Sequence, residues 1–132
     1  MFKKIISSLI LFIAMISCIS YAANTSADQW QWCYSDANQT LYFNPASVTY
    51  DKKSNTAKVW DKCVMSNGMA PKNYIKIDFS NKTDQLIGYI NSGETEVLSP
   101  KSKPNNEIGP GTPSEALANA VADQLKIPHL YK

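Results

Sequence analysis

Arginine is absent from this 132-residue chain, and all thirteen basic side chains are lysine. The planar guanidinium that grips phosphates through two parallel hydrogen bonds is therefore missing, which argues against nucleic-acid and phosphate recognition. Histidine occurs once, as His129 near the chain end. That leaves no histidine pair for a metal and no Cys–His dyad in the folded core. There is no G-x-S-x-G elbow and no phosphate loop. Asp36 to Thr40 starts like a calcium loop but lacks the glycine and the closing glutamate, so it reads as a turn. Glu94 and Glu96 share a strand face, yet beside a turn a solvated edge explains them better than acid–base chemistry. No catalytic, cofactor-binding or metal-ligating residue is assigned, and the chain reads as a non-enzyme.

Long apolar runs are also scarce. The one present, Ile5 to Ile16, follows Lys3 and Lys4 and precedes Ser20-Tyr21-Ala22. Charged start, short apolar stretch and small-residue cleavage site make residues 1–23 a signal peptide, with an uncleaved anchor as the alternative. Cleavage falls after Ala22 or Ala23. Cys18 sits where a lipoprotein cysteine could sit, but Met15 and Ile16 fit that signal poorly. Membrane attachment is expected only if Cys18 is lipidated. Removing the leader leaves eleven lysines against eleven acids, so the formal +2 charge of the whole chain belongs to the export signal. Sequons at Asn24, Asn38 and Asn81 are discounted, because the lysine- and asparagine-rich composition looks bacterial.

The remaining 24–132 segment, about 110 residues, suffices for one domain with one modest core. It holds two cysteines, Cys33 and Cys63. In an exported chain an even count reads as a disulfide, worth roughly 3–4 kcal/mol for a loop of about 30 residues; the alternative is two buried thiols. A plain meander would set the two strands about 10 Å apart, whereas a disulfide needs Cα atoms within about 7 Å. A bulge, direct pairing of the two strands, or a strong curl must close that gap, and curl near Asn44-Pro45 is expected.

Strand periodicity fills the first two thirds. Gln29 to Ser35 alternates, with Trp30, Trp32 and Tyr34 placed on one face. Thr40 to Phe43 returns and is broken at Asn44-Pro45, since proline cannot donate to a ladder. Ser47 to Tyr50, Ala57 to Val64, Asn73 to Phe79, Gln85 to Ile90 and Thr95 to Leu98 follow, the last two joined across Ser92-Gly93. Residues 100–110 carry no apolar period. Thr112-Pro113-Ser114-Glu115 is then a capping box with proline at the first helical position. Leu117, Ala120, Val121 and Leu125 recur at helical spacing, and Pro128 ends the helix. The expected fold is α+β: a single antiparallel sheet of about six short strands with one C-terminal helix packed on one face.

Aromatics offer the remaining binding chemistry. Trp30 and Trp32 are expected in the core, because burying each ring contributes roughly 1.5–3 kcal/mol. Trp60 lies between Lys58 and Lys62 on one face. It is either a core ring with lysine stems along the rim or a binding-surface aromatic.

The motifs "WQWCYSD", "LYFNPASVTY", "AKVWDKC", "YIKIDFSNKTDQLIGY" and "IGPGTPSEALANAVADQL" occur in an order that resembles the surface-adhesin protein E-like domain over nearly all of residues 24–132. The resemblance implies a sheet with a C-terminal helix, in an exported bacterial protein of the periplasm, the cell surface or the medium. Named relatives are adhesins that bind host matrix proteins and can dimerise. A protein ligand, from host matrix or envelope, and a homodimer are therefore the partners it implies. Many relatives carry one cysteine after the I-D of the middle strand and another near the helix. Here Phe79 stands at the first position and no cysteine follows Cys63, so packing through Leu117, Val121 and Leu125 must hold the helix, and no binding residue is carried over. The reading is an adhesin-like surface or envelope binding protein; the alternative is a soluble periplasmic ligand-binding or enzyme-inhibitor module.

Overall fold

The computed structural model describes residues 29–91, 97–98 and 105–131. The expected leader (1–23), Cys18, the Ser92-Gly93 turn and the Glu94–Glu96 pair lie outside the described residues.

Among the described residues, eight strands form one antiparallel sheet. They are β1 (Gln31–Ser35), β2 (Gln39–Phe43), β3 (Thr49–Asp51), β4 (Thr56–Met65), β5 (Lys72–Asp78), β6 (Thr83–Ile90), β7 (Val97–Leu98) and β8 (Asn106–Glu107). The path runs β1-β2-β4-β5-β6-β7, with β3 also on β4 and β8 also on β6. The sheet curls into a half-barrel, closed by one helix, α1 (Pro113–Leu125). The expected α+β architecture holds.

The Asn44-Pro45 break explains the double use of β4. β2 pairs with its Asp61–Met65 half and β3 with its Thr56–Lys58 half. Between them the chain makes a single 3-10 turn, Pro45–Ser47. The Asn44 side chain caps that turn by accepting from Ala46 N–H, and Ser47 Oγ accepts from Trp60 N–H, so the interrupted edge stays tied to β4.

Core side chains alternate along the strands, as period-two geometry requires. Leu41, Phe43, Ala57, Val59 and Ile77 are buried beneath Leu117, Ala118, Val121 and Ala122 of the helix. Small residues at 118 and 122 bring the rod close to the pleated surface. Leu125, expected in the stripe, is half-buried.

Thr112 caps the helix as expected, its Oγ1 accepting from Glu115 N–H at 3.2 Å. Glu115 Oε2 is buried and makes no hydrogen bond. At the other end Lys126 takes the left-handed conformation (φ 58°), and its N–H and that of Ile127 reach Ala122 O. This satisfies carbonyls that the helix end would otherwise orphan.

The polar stretch before the helix contributes more than a loop. Asn106–Glu107 pairs with β6, and Ile108 is buried. The chain end is pinned there too: Tyr131 Oη donates to Ile108 O at 2.6 Å, and Leu130 N–H donates to Asn119 Oδ1.

Two expectations are overturned. The expected Cys33–Cys63 disulfide is absent, and both thiols are free. Strand β2 lies between β1 and β4, with Leu41 paired to Cys63 on one side and to Tyr34 on the other. Two strand spacings, about 10 Å, separate the thiols, and the curl does not close that distance. Each thiol instead donates to a nearer oxygen, Cys33 to Leu41 O (3.4 Å) and Cys63 to Gln39 Oε1 (2.9 Å). The second correction concerns the indoles. Trp32 is 58% exposed, and neither Trp30 nor Trp60 belongs to the buried core. A register shift between Trp32 and Tyr34 sends Tyr34 toward the core, away from the face of Trp30 and Trp32.

Candidate binding face

The sheet presents two chemically different faces, and β4 displays both. Its odd-numbered residues Ala57, Val59, Asp61 and Cys63 point toward the helix, and its even-numbered residues Lys58, Trp60 and Lys62 point the other way. No described helix covers that other face. The remaining described elements are strands of the same sheet and the 3-10 turn, which Gln124 Nε2 ties to the helix through Pro45 O.

The register builds this open face. Lys62 pairs with Tyr42 of β2 and Lys72 of β5, Trp60 with Tyr74, and Lys58 with Lys76. Trp60 and Tyr74 stack at 4.9 Å between centroids, 15° from parallel. Lys62 Nζ lies 5.0 Å from the Trp30 ring centre and 5.4 Å from that of Tyr42, and Lys72 Nζ lies 5.6 Å from the same Trp30 ring. One indole thus faces two ammonium groups, each contact worth about 0.5–1 kcal/mol where exposed. Trp32, paired with Tyr42, extends the aromatic row to the β1 edge. Trp60 is therefore a half-buried ring on the face away from the helix. An open depression of about 490 Å³, lined by Thr49, Asp51, Thr56, Lys58 and Lys76 among others, adjoins the lower lysine pair.

The inner face holds a polar cluster that sequence reasoning did not single out. Asp61 is 5% exposed, and its Oδ1 accepts from Asn73 Nδ2 at 2.9 Å. Burial pushes its carboxyl up to about 7, against the lowering effect of Asn73, and the nearby charge of Asp84 pushes the same way. Burial first, then Asp61, pushes the Cys33 thiol up to about 12, and the same two causes raise Cys63. Both thiols stay protonated at neutral pH and are poor nucleophiles. With Gln39, Cys63, Asn73, Asp84 and Ser114, Asp61 lines a small cavity of about 180 Å³ under the first turn of the helix. The signal was available: Asp61 occupies an inward position in the alternation Ala57, Val59, Asp61, Cys63.

His129 is exposed and contacts Asp123 Oδ1 at 2.6 Å, so it belongs to the pinned tail rather than to either face. Asp36 makes the expected turn, its Oδ1 accepting from Asn38 and Gln39 N–H. Among the described residues no group of three or more His, Cys, Asp or Glu could hold a metal ion, and no helix is long and apolar enough to cross a membrane. No family model, curated protein or solved structure matches the chain.

Proposed function

We propose that this is an exported bacterial surface or envelope binding protein, adhesin-like and non-enzymatic, that recognises a protein partner through its open sheet face. One observation carries the reading: the face opposite the helix displays Trp30, Tyr42, Trp60 and Tyr74 interleaved with Lys58, Lys62, Lys72 and Lys76. Aromatic rings supply contact area at low entropic cost, and peripheral charges supply steering and register. The motif order shared with the surface-adhesin protein E-like domain points the same way, toward a host matrix or envelope protein.

Two measurements test it. Proteases added to intact cells should remove the protein if it is displayed outside; full protection would place it in the periplasm and favour the alternative module. Adhesion of cells to immobilised matrix proteins should fall when Trp60→Ala is introduced, at unchanged surface level. Unaltered adhesion would refute a role for this face. For the alternative of a small-ligand module, the Asp61 cavity of about 180 Å³ is below the roughly 300–1,000 Å³ of ordinary ligand pockets. The open depressions of about 490 Å³ beside Lys58 and Lys76 and about 560 Å³ between β1 and the helix fall within that range.

A further inference from the structure

Strands β4 and β5 face solvent with an arrangement that folding alone does not favour. Lys62 stands directly opposite Lys72, and Lys58 directly opposite Lys76. Like charges opposite each other across a ladder destabilise it, and here the pattern occurs twice on the same two strands. Between the two pairs lies the Trp60–Tyr74 stack. Among the described residues none of these four lysines makes an ion pair; the one ion pair is His129–Asp123. Asp51 and Asp78 lie on that side, both opposite Thr56, and both feel the Lys76 charge, which partly offsets the lower pair. Neither forms an ion pair with it, and both accept from their own turns, Asp51 from Lys53 and Ser54 N–H and Asp78 from Asn81. The upper lysines find partial relief over the Trp30 ring, which also holds their ammonium groups in place.

Resting on the binding-face reading above, we infer that this face takes an extended acidic polypeptide segment of the pattern acid–x–apolar–x–acid, laid along β4 and β5. Same-face side chains on a strand recur about every 6.6 Å, so the two lysine pairs stand about 13 Å apart with the aromatic stack midway. A second extended chain has the same repeat. Its residues i, i+2 and i+4 therefore meet Lys62/Lys72, Trp60/Tyr74 and Lys58/Lys76 in turn. Carboxylates suit the lysines, which act as point charges, and an apolar side chain suits the rings. Phosphate-bearing polymers are the poorer match, because the face offers no bidentate guanidinium. A second copy of this chain is a poorer match still: no stretch of its own sequence has acids four apart with an apolar residue midway.

The test uses the protein isolated from its host and two dye-labelled peptides of identical composition. One carries Glu-Gly-Trp-Gly-Glu; the other carries the same residues with the two acids adjacent. Fluorescence anisotropy should show the patterned peptide binding at least tenfold tighter, with affinity falling as salt rises. Lys72→Glu and Lys76→Glu should each weaken it at least tenfold. Lys72→Glu replaces the like-charge pair with Lys62 but gives up the Trp30 contact, and Lys76→Glu sets a carboxylate beside Asp51 and Asp78. Thermal melts of both variants therefore separate lost binding from lost folding: only a variant that is folded at the assay temperature counts against or for the site. Equal affinity for the two peptides overturns the inference. So does a clear preference for heparin, or for vesicles of phosphatidylglycerol and phosphatidylcholine, over the patterned peptide. If such a polyanion binds and Lys72→Glu abolishes it, the binding face survives and only its occupant is wrong. If none of these probes responds to Lys72→Glu or Trp60→Ala, the binding face falls as well.

Discussion

Raising the pH from 4 to 8 should destabilise this protein, and Asp61 should be the reason. The carboxyl is 5% exposed, and its one hydrogen bond from a side chain comes from Asn73. Burial raises its pKa from 3.8 to about 7 in the folded chain. A raised acid binds its proton more tightly in the fold than in the unfolded chain. Its contribution is complete below about pH 4 and is lost as pH climbs through about 7. Each pKa unit corresponds to about 1.4 kcal/mol, so a shift of about three units amounts to about 4 kcal/mol. That is a large share of the roughly 5–15 kcal/mol that stabilises a domain. Asp36, Asp51 and Asp78 are shifted downward, so what they contribute is present at neutral pH and disappears only below about pH 4. They oppose Asp61 outside the window of interest. Urea unfolding followed by tryptophan fluorescence, at half-unit steps from pH 4.5 to 8, measures the slope. Asp61→Asn should flatten it while keeping an acceptor for Asn73. His129→Gln, a control at the exposed histidine of the pinned tail, should not. A flat wild-type profile, or a slope that persists in Asp61→Asn, would refute the burial argument.

Lys72→Glu turns a like-charge pair with Lys62 into an opposite-charge one, a gain of about 0.2–1 kcal/mol that the lost Trp30 contact of about 0.5–1 kcal/mol offsets; thermal melts at low salt should therefore show little net change, and a loss well beyond that contact contradicts the register. Thr112→Ala should cost about 1 kcal/mol through loss of the Glu115 N–H acceptor, measured by urea midpoint. A reductant should leave the melting temperature unchanged, and a thiol reagent should label Cys33 slowly until the protein unfolds; a Cys33–Cys63 cross-linked peptide would mean that β2 does not separate β1 from β4. Val121→Ala, in the fully buried helix stripe, should destabilise by about 1–3 kcal/mol with an unchanged urea m-value.

Much of the fold was legible because its signals are local. Alternation in Ala57–Val64 and Asn73–Phe79 marked strands that form almost where expected, and Asn44-Pro45 interrupts the edge as a missing N–H requires. Thr112 and Pro113 fixed the helix start. What failed depended on partners distant in sequence. Two cysteines on strands of like direction look ready to pair until a third strand is known to lie between them. Trp30 and Trp32 look like core because large rings usually are, yet the helix covers the face carrying Leu41, Phe43 and Val59. Ile108, lone in a polar stretch, had no period to betray its burial. The open face was only partly visible: Lys58, Trp60 and Lys62 read correctly as one row, but their facing lysines became evident only with the β4–β5 register.

Balanced composition does not make balanced surfaces. Asp61 and Lys62 are neighbours in sequence and carry opposite signs, yet a pleated strand sends them to opposite sides of the sheet. Asp61 enters the core and is driven toward its neutral form, whereas Lys62 meets Lys72 and Tyr42 across the open face. Neither charge can relieve the other. The same arrangement guards the register. A one-residue slip of β4 would exchange the two rows, placing Lys58 and Lys62 under the helix and exposing Val59. Burying two unpaired ammonium groups would cost several kcal/mol each, far more than two like-charge pairs cost in water. The lysine rows of the open face are thus also what prevents the strand from turning over.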